Sequence, residues 1–203
     1  MKQINKKSAS RNTSSPFAEF FEELPRGSGE TTLATIIPAK FEDFLVVLSL
    51  SEDIPKARRA FFILLACVGP TLEEIQMVSK SSLKWTESGN TKSLIVTIGK
   101  GANQRTGIVN PVVQDFIWDT LNQLVGKRPL KWTRRTTNSF LDLYFNIEGV
   151  KTMSFRESGM RYLVSVKSFD ALTAGKLMGM SAEQSLKHAK ESDIDTLAAR
   201  FTY

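Results

Sequence analysis

The sequence predicts a mainly α-helical protein with a small three-stranded antiparallel β-sheet in its middle, an α+β arrangement. Three observations predict it. Apolar residues recur at helical spacing from residue 38 to about residue 77 and again from residue 110 onward. Between these stretches lie three short strand-like runs, at 82–86, 93–98 and 105–109, separated by turn residues. The chain has 203 residues and no internal repeat, a length that suits one domain with a buried core, alone or with a tail.

Residues 1–15 are polar and basic, a composition expected to be disordered alone. Ser15-Pro16 predicts the start of a short helix, with Ser as N-cap and Pro in the first turn. Phe17, Phe20, Phe21 and Leu24 share one face of it, which docks on its own domain or on a partner. Residues 25–29 form a linker. The expected organisation is a flexible basic tail with a short amphipathic helix over 1–34 and one domain over 35–203.

Residues 38–50 read as a helix with Phe41, Phe44, Leu45 and Leu48 inward. The next helix starts at Asp53-Ile54-Pro55, runs through the apolar segment 61–68, and stops at Gly69-Pro70. Thr71 and Glu74 have the spacing of a capping box for a further helix. Ser88-Gly89-Asn90 turns the first strand into the second, and Gly99-Lys100-Gly101 turns the second toward the third. Asn110-Pro111 caps a helix with Val112, Val113, Phe116, Ile117, Leu121, Leu124 and Val125 on one face, ended by Gly126. Residues 127–135 read as a basic loop. Helices are expected over about 136–147, 154–166, 168–177, 181–190 (with a second capping box, Ser181 to Gln184) and 192–201.

The net charge is +6. Lys2, Lys6, Lys7 and Arg11 place much of it in the tail. Residues 98–135 hold seven bases (Lys100, Arg105, Lys127, Arg128, Lys131, Arg134, Arg135) against two acids (Asp115, Asp119). Such a local excess fits a polyanion partner or a solvated basic face. Cys67 is the only cysteine, so no intrachain disulfide forms, and it reads as a small core residue. Its apolar run is far short of the roughly 18–20 residues of a membrane span. The N-terminus lacks an apolar signal region. An intracellular protein is expected, cytoplasmic (nucleoid-associated) or nuclear. No paired CxxC, Walker A or HExxH motif occurs, so no metal, cofactor or small-molecule substrate is expected.

Four motifs, in order, resemble the catalytic domain of tyrosine recombinases, the phage-integrase and Xer-like family, over about residues 35–190. Gly69-Pro70-Thr71-Leu72-Glu73-Glu74-Ile75 is similar to the family's Gly-x-Arg-x-x-Glu-Leu, with Thr71 at the arginine. Gly99, Lys100, Gly101 and Arg105 match a hairpin pattern G-K-G-x-K-x-R. Met153-Ser154-Phe155-Arg156 resembles His-x-Leu-Arg, with Met153 at the histidine. Leu177-Met178-Gly179-Met180-Ser181 resembles Leu-Leu-Gly-His-Ser, with Met180 at the His or Trp position. Ser185-Leu186-Lys187-His188-Ala189 looks like Thr-Leu-Arg-Tyr-Ala, with His188, or Ala189 counted strictly from the glycine, where the nucleophilic tyrosine would stand.

The resemblance implies a fold that grips DNA phosphates. In the family, two arginines stabilise charge on the transition state, a tyrosine attacks, and a hairpin lysine serves as general acid. Losing one such charge-stabilising donor typically costs about 10²–10³ in rate. Lys100 and Arg156 match here, while Thr71, Met153, Met180 and His188 do not. The expected protein therefore binds double-stranded DNA without cutting it, as a regulator or accessory factor, with no catalytic residue. Its expected DNA contacts are Lys100, Arg105, Lys131, Arg134, Arg135, Arg156 and His188. By the same resemblance the helix at 192–201, with Ile194, Leu197, Ala198 and Phe201, joins protomers into a homo-oligomer or folds back on its own domain. Two alternatives stay open. One is an active, divergent recombinase using Tyr203 or His188. The other is a protein-interaction module that kept the fold and lost DNA.

Overall fold

A computed structural model describes residues 15–24, 33–101, 104–126 and 129–188. Its order is β1 (Phe21–Leu24), β2 (Leu33–Ile36), α1 (Phe41–Leu50), α2 (Lys56–Val68), α3 (Leu72–Ile75), β3 (Leu83–Ser88), β4 (Thr91–Ile98), β5 (Arg105–Ile108), α4 (Gln114–Gln123), α5 (Arg134–Tyr144), α6 (Thr152–Ser165), α7 (Ala171–Leu177) and α8 (Ala182–Leu186). Helix α2 is apolar almost all round, which suits only a central position. It is buried from Arg59 to Ala66 and packs against α1, α4 and α6. Phe62 lies among Phe61, Phe145 and Phe155 at ring separations of 5.0–5.3 Å.

The predicted sheet is present, antiparallel in the order β3-β4-β5. Leu83 faces Val96 and Ile95 faces Ile108 in the register. Leu94, Val96 and Ile98 of β4 are buried at alternate positions, the period of a strand with one face on a core. Gly107 lets β5 cross the end of α2, since a Cβ there would fall 1.8 Å from Val68 Cγ1. Gly69, at φ +59°, ends α2 in the left-handed conformation that its missing Cβ permits. The Thr71–Glu74 and Ser181–Gln184 capping boxes both form.

Four expectations need correction. The segment after Ser15-Pro16 is not an amphipathic helix. Only Ala18–Phe20 makes a helical turn, and Phe21–Leu24 then pairs antiparallel with Leu33–Ile36 in a second, two-stranded sheet. The proline at 25 disfavours helix in the residue before it, and the fully buried β2 offers a ladder instead. Phe17 and Phe20 still dock on their own domain, each with its ring 5.8 Å from that of Phe44. Second, Val112 and Val125 leave the apolar face of α4, being 44% and 96% exposed. Pro111–Val113 is a 3-10 turn and α4 stops at Gln123, so neither is in helical register.

Third, Arg134 and Arg135 are not in a loop. The Thr133 side chain accepts the Thr136 N–H and starts α5 directly at Arg134. Fourth, Ser168 stands outside α7 at φ +59°, and Asp170 caps that helix. The predicted helix at 192–201, Tyr203 and residues 1–14 lie outside the described residues, as do the last two residues of the predicted helix 181–190. Among the described residues no helix is long and apolar enough to cross a membrane.

Candidate nucleic-acid interface

The turn after α2 and the first turns of α5 and α6 enclose a pocket of about 310 Å³. Pro70, Thr71, Glu73, Arg134, Met153 and Arg156 line it. Three of the positions that carry the family resemblance, Thr71, Met153 and Arg156, thus meet in space although 85 residues of sequence separate the first from the last. A wider depression of about 600 Å³ adjoins it and shares Arg134, Thr152 and Met153.

Each wall has a local cause. Thr71 is held by the capping box: its hydroxyl accepts the Glu74 N–H at 3.2 Å, and its own N–H donates to the Glu74 carboxylate at 2.6 Å. Arg156 lies in the second turn of α6. Its Nε donates to the Met178 carbonyl at 3.2 Å, and Nη2 donates to the Gly179 carbonyl. Burial, and then the neighbouring Arg105, pull the Arg156 pKa down, yet a guanidinium stays cationic at neutral pH. Met153 is 52% exposed at the mouth. Arg134 is exposed and has no hydrogen-bond or ion-pair partner among the described residues.

The other predicted contacts divide into two groups. Lys100 at the hairpin, Lys131 and Arg135 are exposed. Arg105 and His188 are engaged inside the fold. The Arg105 guanidinium donates to the Val68, Gly69 and Leu177 carbonyls at 2.9–3.0 Å and faces Glu74 at 3.4 Å. His188 Nε2 lies 2.9 Å from a Glu157 carboxylate oxygen, with its side chain 15% exposed. Met180 packs beside Met160, Val164 and Met178 in a small apolar cluster.

Other groups that chemistry could recruit are committed elsewhere. Tyr162 stacks on Phe41 at 4.4 Å and donates its hydroxyl to Glu42. Arg58 lies 3.9 Å over the Phe140 ring, and buried Arg59 donates to the Ser49 carbonyl. No group of three or more His, Cys, Asp or Glu among the described residues could hold a metal ion. Sequence reasoning named Arg134 but missed that it joins Thr71 and Arg156. The usable signal was Thr133, whose capping chemistry starts a helix there. It also missed the engagement of Arg105, whose partners are backbone carbonyls with no signature in sequence.

The architecture is a tyrosine-recombinase-like fold. Solved structures that share it include the XerH site-specific recombinase bound to difH substrate in a pre-cleavage complex (TM-score 0.55, 14% identity, 79% of this chain and 50% of that chain), the same recombinase bound to palindromic difH in a post-cleavage complex (0.58, 14%, 89% and 56%), and the XerA recombinase (0.51, 14%, 84% and 66%). The chain spans between half and two thirds of the length of these recombinases. No protein-family model matches the chain, and no curated protein matches its sequence.

Proposed function

We propose that this protein binds duplex DNA through its phosphates and does not cut it, acting as a regulator or accessory factor in DNA transactions. The observation that carries the reading is the pocket at Thr71, Met153 and Arg156. Among the described residues its walls offer cations suited to a phosphate and no histidine or tyrosine. The DNA-bound complexes among the similar structures support the substrate class. Exposed Lys100, Lys131, Arg134 and Arg135, together with Arg156, are the phosphate contacts in this reading, and such contacts hold DNA largely without reading its sequence. Arg105 and His188 serve the fold instead. The basic segment 1–14 adds contacts through Lys2, Lys6, Lys7 and Arg11. The apolar residues Ile194, Leu197, Ala198 and Phe201 join protomers on DNA.

Mobility shift of labelled duplex at two salt concentrations tests binding. Affinity falls steeply with salt, and Lys100→Ala plus Arg156→Ala weakens it further. No binding at low salt removes the reading in favour of a protein-interaction module. A nicked suicide substrate tests cleavage. A covalent protein–DNA adduct that disappears with Tyr203→Phe or His188→Ala would establish an active recombinase.

A further inference from the structure

We propose that Arg134 and Arg156 clamp the same phosphate, with Arg134 supplying from α5 the cation that residue 71 does not. The inference rests on the DNA-binding reading and adds the geometry of its central contact. The two arginines come from different helices and line one pocket of about 310 Å³. Thr71 stands on the same wall but cannot take this part, because its hydroxyl, which accepts the Glu74 N–H, carries no charge.

The two guanidinium groups are prepared differently. Arg156 is fixed: Nε and Nη2 are held by the Met178 and Gly179 carbonyls, which sets the plane of the group before any ligand arrives. A pre-oriented planar fork loses less entropy on binding an oxyanion than a free side chain does. Arg134 is exposed and has no partner among the described residues, so none of its donors is taken by them. It also opens α5, which puts the positive end of that helix's dipole on the same wall.

The acids nearby do not cancel this. Glu73 shares the pocket and opposes an anion, leaving the two arginines with a net positive charge there. Glu74 is paired with Arg105 behind the wall, so that couple adds little net charge. A phosphodiester, singly charged and with two non-bridging oxygens, suits one fixed and one adjustable fork.

Fluorescence anisotropy of the full chain with a labelled duplex tests the clamp. Arg134→Ala is expected to weaken binding about tenfold, in the range for one charge-assisted contact. Lys56→Ala, exposed at the start of α2 and outside the pocket lining, is expected to cost less than about threefold. Adding Thr71→Arg to the Arg134→Ala protein returns a cation to the same pocket and restores most of the lost affinity. Adding Val125→Arg at a fully exposed position does not. Equal losses from Arg134→Ala and Lys56→Ala, or equal rescue by Thr71→Arg and Val125→Arg, would overturn the clamp while leaving DNA binding intact. A wild-type chain that fails to bind at low salt sinks both readings. Thermal melting of each variant confirms that folded proteins are compared, and the rescue arm leaves Arg156 and its backbone ties untouched.

Discussion

The Arg105 guanidinium packs directly on Gly179: a Cβ added there would fall 2.5 Å from Arg105 Nε. That approach lets one side chain serve the ends of two helices. Val68 and Gly69 close α2, and Leu177 is the last residue of α7. Carbonyls at helix C-termini have no partner within the helix, and the dipole makes that end negative. Arg105 donates to all three and faces Glu74 as well.

Arg105→Ala is therefore expected to act on stability before it acts on DNA. It leaves three carbonyls without their donor and Glu74 with only the Thr71 N–H, a loss of about 2–4 kcal/mol. Urea unfolding checks this. A variant with an unchanged midpoint but weakened DNA binding would return Arg105 to the set of phosphate contacts.

The helices and the three-stranded sheet were legible because their causes are local. Capping boxes span four residues, and the alternation of Leu94, Val96 and Ile98 declares a strand by itself. The β1–β2 sheet was not legible. Phe21 pairs with Ile36 across an intervening segment, and the spacing of Phe17, Phe20, Phe21 and Leu24 fits a helix equally well. Of the site, the residue types at 71, 153 and 156 could be read in order. The arrival of Arg134 at the same pocket depends on how α5 packs beside α6, which no local pattern encodes.

Gly159 sets the crossing of α6 over α2. A Cβ there would meet the Ala66 carbonyl oxygen at 2.0 Å and Met178 Cε at 2.5 Å. The methionine can turn away, but the carbonyl belongs to the central helix and cannot. Gly159→Ala gains roughly 1 kcal/mol of helix propensity and loses about 2–3 kcal/mol to overpacking. A lower melting temperature is expected by circular dichroism. A higher one would mean that the two helices stand farther apart than this.

Cys67 faces an apolar cavity of about 210 Å³ beside Phe41, Tyr162 and Leu163. Burial pushes its thiol up to about 12. The thiolate is the reactive form, so alkylation by iodoacetamide at pH 7.5 is expected to run on the order of 10³-fold slower in the native protein than in denaturant. Mass spectrometry over time reads the two rates. Comparable rates would place the thiol in water.

The Glu42 carboxylate anchors a small polar network between α1 and α6. The Tyr162 hydroxyl donates to it, Asn110 donates at 3.3 Å, and Lys167 Nζ lies at 3.2 Å. The Tyr162 hydrogen bond outweighs partial burial and, with Asn110 and Lys167, holds the Glu42 pKa below its ordinary 4.5. Glu74 is lowered too: burial raises it, but the Thr71 N–H and Arg105 together outweigh that. A carboxylate with a lower pKa folded than unfolded binds fewer protons in the native state. Its stabilisation is complete above the unfolded value near 4.5 and is lost as pH falls through the lower folded value. Tyr162→Phe removes the first of these causes at Glu42. At pH 7 the variant is expected to be less stable by about 1–2 kcal/mol. As Glu42 becomes protonated below pH 4.5 the charge-assisted bond is lost in the wild type too, so the gap narrows toward pH 3. Urea unfolding of both proteins at intervals of pH measures that gap. A constant difference from pH 7 to pH 3 would show that the Tyr162 hydroxyl acts through its hydrogen bond with Asn110 and not through the Glu42 charge.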